Sequence, residues 1–233
     1  MPAILVRPDG AGDTKVPFLL WMHGRTATKE LDAGRYLRLA RAGIGSVAID
    51  LPNHGERLHE RSSDLRFVLE TIERAEQELD DVFQAIGHHG GFDLSRAAIG
   101  GMSMGGMVAL VRLCRPHPFK AALLEATSGS WDGQLGRQFQ DPDTVAAIDP
   151  SKHLAQWREI PVLAIHAKHD EWVKWDGQHA FLEALRKQYT TPDIVEELVF
   201  EKTGAPHEHF GFGSNSNQAR MRGIDFLQLI FAQ

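Results

Sequence analysis

Apolar positions along this chain collect into short runs separated by longer stretches in which they recur every three or four residues. The runs lie near Ala3–Val6, Phe18–Met22, Ser46–Ile49, Ala97–Ile99, Ala121–Leu124, Val162–Ile165 and Glu197–Phe200. Several are apolar throughout, as expected of strands covered by helices on both faces. The clearest helical pattern spans Asp64 to Ile86, where Leu65, Val68, Ile72, Ala75, Leu79, Val82 and Ile86 share one side and Gly87 supplies a stop. Others lie near Lys29–Arg41, Trp175–Lys187 and Ser216–Phe231. The last carries Met221, Ile224, Leu227 and Ile230 on one side and is expected to pack on the sheet. This alternation predicts an α/β chain with a mostly parallel sheet of about seven or eight strands.

One segment breaks the alternation. Residues 127–160 are rich in Gly, Asp, Gln and Pro, with scattered Trp131, Phe139 and Trp157. Both flanks belong to one sheet, so the segment reads as a small lid insertion of roughly thirty residues rather than a linker. The expectation is a single domain over residues 1–233 with this lid inside it.

Composition narrows the functional classes. A net charge of -6 argues against nucleic acid as main partner and leaves no basic patch for an anionic membrane. No apolar run approaches the roughly 18 residues of a membrane span. The start, Met-Pro-Ala-Ile-Leu-Val-Arg-Pro, lacks the layout of a signal peptide. The lone Cys114 forms no intrachain disulfide and reads as a buried small hydrophobe. A reducing, cytoplasmic setting fits these features.

The chemistry centres on Gly100-Gly-Met-Ser-Met-Gly-Gly106, which contains Gly-x-Ser-x-Gly between a strand-like and a helix-like run. Such a sequence turns a strand straight into a helix and holds the serine hydroxyl at the apex of a strained turn. The flanking glycines are needed where strand and helix backbones crowd. The same turn places the amide of Met104 at a helix N-terminus, where it can donate to a developing oxyanion.

Ser103 needs a base to take its proton and an acid to hold that base. In this arrangement both follow on loops after later strands. The run Pro161-Val-Leu-Ala-Ile-His-Ala-Lys-His-Asp170 is an apolar strand leading into a polar loop, which places Asp170 at the carboxyl edge with the serine; Glu125, ending the strand after the serine's helix, competes but sits early. For the base, His207 and His209 both lie after the last strand. His207 is preferred because it follows Gly204-Ala-Pro directly, a tight loop suited to aiming one side chain. The second oxyanion donor is expected from His23-Gly24-Arg25, most simply the Arg25 amide, with His23 structural. The Arg25 side chain is either solvated or meets a negative group on the substrate. Trp131 and Trp172 are candidate pocket walls or ordinary packing.

A metal reading has His166, His169, Asp170, His207 and His209 to draw on. Their spacing lacks a helical His-x-x-x-His pair, and the serine motif already accounts for Asp170 and His207. The expectation is no metal and no cofactor.

Taken together, His23-Gly24, Asp50-Leu-Pro-Asn-His-Gly55, Gly101-Met-Ser-Met-Gly105, His166-Ala-Lys-His-Asp170 and Gly204-Ala-Pro-His207 resemble the α/β-hydrolase superfamily. Within it the chain is similar to small serine esterases of the dienelactone-hydrolase and prolyl-oligopeptidase-like branch. The resemblance implies a three-layer fold, with Asp50–Gly55 a structural loop and His54 not the base. Serine at the nucleophile position, where dienelactone hydrolases hold cysteine, implies ordinary ester hydrolysis rather than lactone opening. A short N-terminus implies a truncated early hairpin, or an edge covered by a partner such as a second copy.

The function expected is hydrolysis of small-molecule carboxylic esters, short acyl groups favoured, through a Ser103–His207–Asp170 triad. The rival readings are a thioesterase or serine peptidase with the same machinery, and a non-catalytic ligand-binding protein of the same fold.

Overall fold

A computed structural model describes residues 1–58, 67–131 and 141–232. Its frame is a seven-stranded sheet in the order β1-β3-β2-β4-β5-β6-β7. The strands are β1 Ala3–Val6, β2 Val16–Met22, β3 Gly45–Ile49, β4 Phe92–Met102, β5 Ala121–Glu125, β6 Val162–Ala167 and β7 Val195–Phe200. The edge strand β1 runs antiparallel to β3, and every other pairing is parallel. Each expected strand is present; β4 is longer at both ends, since Phe92 pairs with Val16 ahead of a register shift and Gly100 and Gly101 continue the ladder beside Leu123 and Leu124 rather than starting the turn.

Side chains alternate across the sheet with the strand's period of two. Along β2, Phe18, Leu20 and Met22 enter one core, while Leu19 and Trp21 enter the other. The first core is covered by α2 (Val68–His89), α3 (Met104–Leu113) and α5 (Trp175–Gln188), through Ile72, Leu79, Val108, Leu110, Phe181 and Leu185. The second is covered by α1 (Ala33–Arg41) and α6 (Ser216–Phe231), through Tyr36, Leu39, Ile224, Phe226 and Leu227. Helices on both faces are why the central strands read as unbroken apolar runs. Among the described residues no helix is long and apolar enough to cross a membrane.

Two helix boundaries depart from expectation for identifiable reasons. α2 runs through Gly87 to His89 and ends at Gly90, whose φ is +79°. Gly87 instead gives Leu94 room, since a Cβ there would lie 2.9 Å from the Leu94 side chain. The expected start at Asp64 falls within residues 59–66, outside the described residues. α1 starts at Ala33, not Lys29; the residues before it make successive tight turns instead, the Leu31 amide donating to the Thr28 carbonyl at 3.1 Å and the Ala33 amide to the Glu30 carbonyl at 3.3 Å.

The segment expected as a lid is described on both sides of residues 132–140, which include Phe139 and lie outside the described residues. Its flanks are packed into the body. Trp131 is 1% exposed, its indole N–H donating to the Ser128 carbonyl at 2.8 Å. After it come α4 (Pro142–Ile148) and two short 3-10 turns, with Trp157 packed edge-on against Phe181 of α5. Of the two readings open for Trp131, pocket wall or packing, its burial is that of core packing.

Candidate active site

Because β2 through β7 are parallel, the loops after them gather at one edge of the sheet. The order reverses between β2 and β4, the switch point where such sheets leave a crevice. The ends of β2 and β4 meet there, Met22 paired with Gly101, so the loops carrying Arg25 and Ser103 start side by side.

Ser103 stands between β4 and α3 with φ +53° and ψ -119°, a conformation that L-residues seldom adopt. The crowding that demands glycine on either side is visible. A Cβ on Gly101 would come within 2.4 Å of the Gly105 backbone, and one on Gly105 within 2.3 Å of the Met22 carbonyl. The Ser103 amide donates to the Glu125 carbonyl at 2.9 Å, and its own carbonyl accepts from Thr127 Oγ1 at 2.8 Å. The strained residue is thus anchored at both backbone groups. Met104 opens α3, so its N–H is one of the first-turn amides that no helical carbonyl can meet.

His209 bridges serine and acid. Its Nε2 lies 3.0 Å from Ser103 Oγ, and its Nδ1 lies 2.7 Å from Asp170 Oδ2. The carboxylate accepts only, so Nδ1 carries the proton and Nε2 is left as the acceptor facing the hydroxyl. Asp170 is fully buried after β6, and its other oxygen accepts the amides of Trp172 and Val173, each at 2.8 Å. Burial by itself would raise its pKa. Hydrogen bonds and charge from His166 and His209 outweigh that effect and hold it below the ordinary carboxylate value.

The expectation for His207 is corrected by this geometry. The loop after β7 makes a short 3-10 turn, Pro206–Glu208, with His207 at φ +55° and Glu208 at φ +50°. Two left-handed residues in succession turn the His207 side chain outward, where its Nδ1 pairs with Glu171 at 2.9 Å. The turn delivers His209, two residues on, to the buried position. Glu208 clamps the turn: its carboxylate accepts from the amides of Thr203 and Gly204 and from the Thr203 hydroxyl, at 2.6, 2.9 and 2.7 Å. Nothing in the residue types around Gly204–Phe210 announces those dihedrals, and the acid three residues after Ala205 was the one available hint.

Glu125, the competing acid, is buried on the α1 side of the sheet, paired with Arg35 at 2.7 Å. His23 is structural, as expected. Its Nδ1–H donates to the Gly24 carbonyl at 2.8 Å while Nε2 accepts the Leu51 amide at 3.1 Å. Burial lowers its pKa, which keeps this neutral form. The Asp50–Gly55 loop is organised around Asp50, which accepts from the Lys29 amine at 2.8 Å and from the amides of Lys29 and Glu56 at 3.0 Å each. His54 is buried in the same loop, its ring 5.4 Å from that of His23 and its Nδ1 bonded to the Pro52 carbonyl.

Of the remaining histidines, His169 pairs with Glu201 at the surface, whereas His166 is buried beside the acid, its Nε2 donating to the Val173 carbonyl at 2.8 Å and lying 3.5 Å from Asp170 Oδ2. Among the described residues no three His, Cys, Asp or Glu side chains gather in a metal-holding group. Trp172, the second expected wall, is 39% exposed and stacks on His209, centroids 5.4 Å apart and planes at 27°. It therefore lies on the histidine that bridges Ser103 and Asp170, whereas Trp131 does not.

A model of the alpha/beta hydrolase family matches residues 18–210. The chain belongs to that family. Among curated relatives, it is 26% identical over 202 residues to the esterase YjfP of Escherichia coli strain K12, covering 79% of this chain and 81% of that one. Of solved structures, TT1662 from Thermus thermophilus superposes with a TM-score of 0.78 at 23% identity, covering 99% and 94% of the two chains. Acylaminoacyl peptidase from Pyrococcus horikoshii superposes with a TM-score of 0.70 at 18% identity. There 99% of this chain corresponds to 39% of the peptidase, so the family fold is shared with one part of that larger enzyme.

Proposed function

We propose that this member of the alpha/beta hydrolase family is a serine hydrolase that cleaves carboxylic esters through an acyl-enzyme. The observation that carries the reading is the continuous path from Ser103 Oγ through the His209 ring to Asp170, at 3.0 and 2.7 Å. Ser103 Oγ attacks the ester carbonyl carbon as its proton passes to His209 Nε2. The C–O bond to the alcohol then breaks, and His209 returns that proton to the departing oxygen. Water repeats the attack on the acyl-serine with His209 again as base, releasing the acid and restoring the hydroxyl. Asp170 holds the tautomer with Nε2 free and stabilises the imidazolium that forms between steps. The amides of Met104 and Arg25 donate to the tetrahedral oxyanion.

The similarity to an esterase from Escherichia coli favours an ester over other acyl compounds. The brevity of residues 127–160 favours acyl groups from acetyl to butyryl, since so short a segment supplies little wall for a long chain. A panel of 4-nitrophenyl esters from acetate to palmitate, run beside an acyl-CoA thioester and an aminoacyl anilide, tests the assignment. The expected result is the highest kcat/KM at two to four acyl carbons. A thioester or anilide turned over faster than every ester would replace the reading.

A further inference from the structure

The mechanism uses the backbone of Arg25 and not its side chain. We propose that the Arg25 guanidinium binds an anionic group on the alcohol side of the substrate, so that the favoured esters carry a carboxylate on their leaving alcohol. The inference rests on the serine-hydrolase reading and specifies its substrate class.

The placement follows from a short series of contacts. Gly24 lies against the nucleophile, its Cβ position 3.4 Å from the Ser103 Cβ, so the next residue begins at the reacting centre. The chain there is fixed by a turn closed between the Ala27 amide and the Gly24 carbonyl at 3.2 Å. Thr26 takes φ +64° in that turn, and its hydroxyl donates to the Arg25 carbonyl at 2.6 Å. From this fixed stem the Arg25 side chain reaches over Trp172, its Cζ 5.5 Å from the ring centroid. The same indole stacks on His209. Arg25 and the proton-delivering imidazole therefore share one aromatic platform.

That platform decides which side of the ester the cation meets. His209 Nε2 hands its proton to the departing oxygen, so the alcohol leaves past the imidazole and the indole against it. The acyl group stays on Ser103. A charge over Trp172 is thus on the leaving-group flank.

The chemistry of the side chain suits a carboxylate. A guanidinium offers paired N–H donors in a plane that matches the two oxygens, and it stacks on aromatic rings without giving them up. Arg25 is half-buried, where a charge pair is less screened than in bulk water. His54 adds no competing positive charge, because its own burial and the neighbouring Arg25 both disfavour its protonated form.

The test compares acetyl-ester cleavage in 4-acetoxybenzoate and in methyl 4-acetoxybenzoate, read as release of the phenol, whose ring carries a carboxylate in the first and its uncharged methyl ester in the second. In Arg25→Gln the ratio of kcat/KM, charged over neutral, is expected to fall roughly 10- to 100-fold relative to the unaltered protein. Arg25→Lys should recover part of that loss. Raising salt from about 0.05 to about 0.5 M should lower the ratio in the unaltered protein but not in Arg25→Gln. A ratio that stays within about twofold in Arg25→Gln overturns the proposal. A second pair, mono-4-nitrophenyl succinate and 4-nitrophenyl butyrate, carries the charge on the acyl side. A fall in that ratio without one in the first overturns the alcohol-side placement. Ser103→Ala separates the two levels of failure. Persistence of all four activities would sink the hydrolase reading and this proposal with it, whereas their loss beside an unmoved Arg25→Gln ratio sinks this proposal alone.

Discussion

Replacing His209 with alanine is expected to lower ester turnover by about three to six orders of magnitude, while His207→Ala changes it by no more than a few-fold. The asymmetry follows from two backbone dihedrals rather than from residue type. Both imidazoles sit in one loop, two residues apart, and either could serve as a base. Only His209 has its ring between Ser103 Oγ and Asp170. His207 points outward to Glu171 with half of its side chain exposed, so its removal takes away a surface ion pair of little energetic weight. Parallel kinetics on the two variants, with circular dichroism to confirm folding, check the expectation. Comparable losses in both, or a larger loss in His207→Ala, would mean that the loop rearranges before reaction.

The second large effect is expected of Asp170→Asn, near 10⁴-fold in kcat, the scale seen when the orienting acid of a serine triad becomes its amide. The substituted amide keeps the volume. If it turns its N–H₂ toward His209, the ring proton moves to Nε2 and Ser103 loses its acceptor. The same change bears on stability in a definite direction. The Asp170 pKa is held below its ordinary value of 3.8 in the folded protein. Its contribution is therefore fully present above that value and is lost as pH falls through the lower, folded one. The amide of the Asp170→Asn variant does not titrate, so the stability gap between the two proteins should narrow on acidification in that range. Denaturant melts across the acid limb measure this, and a gap that widens would reverse the assigned shift.

Much of this arrangement was legible in the sequence alone. The unbroken apolar runs marked the strands because two helical layers cover the sheet, leaving little room for a polar residue on either face. The Ser103 turn was legible because its glycines answer to backbone contacts under 2.5 Å, a demand that few other residues meet. Asp170 followed from the strand whose loop carries it. The choice of histidine was not legible, since φ at His207 and Glu208 is set by a carboxylate clamp onto Thr203 and Gly204 that residue spacing does not encode. Trp131 stayed open between pocket wall and packing for a related reason. Its segment is polar and irregular, yet the residue is drawn into the core, with its amide on Asp149 and its indole on Ser128. Gly87 shows that a glycine ending a helical pattern can instead make space for a neighbouring side chain.

The most direct measurement is where a fluorophosphonate probe becomes attached. The account predicts one covalent adduct, located by peptide mass spectrometry on Ser103, formed in step with loss of ester hydrolysis and greatly slowed in His209→Ala. No adduct under conditions where the protein hydrolyses esters, or inactivation through a different residue, would contradict it.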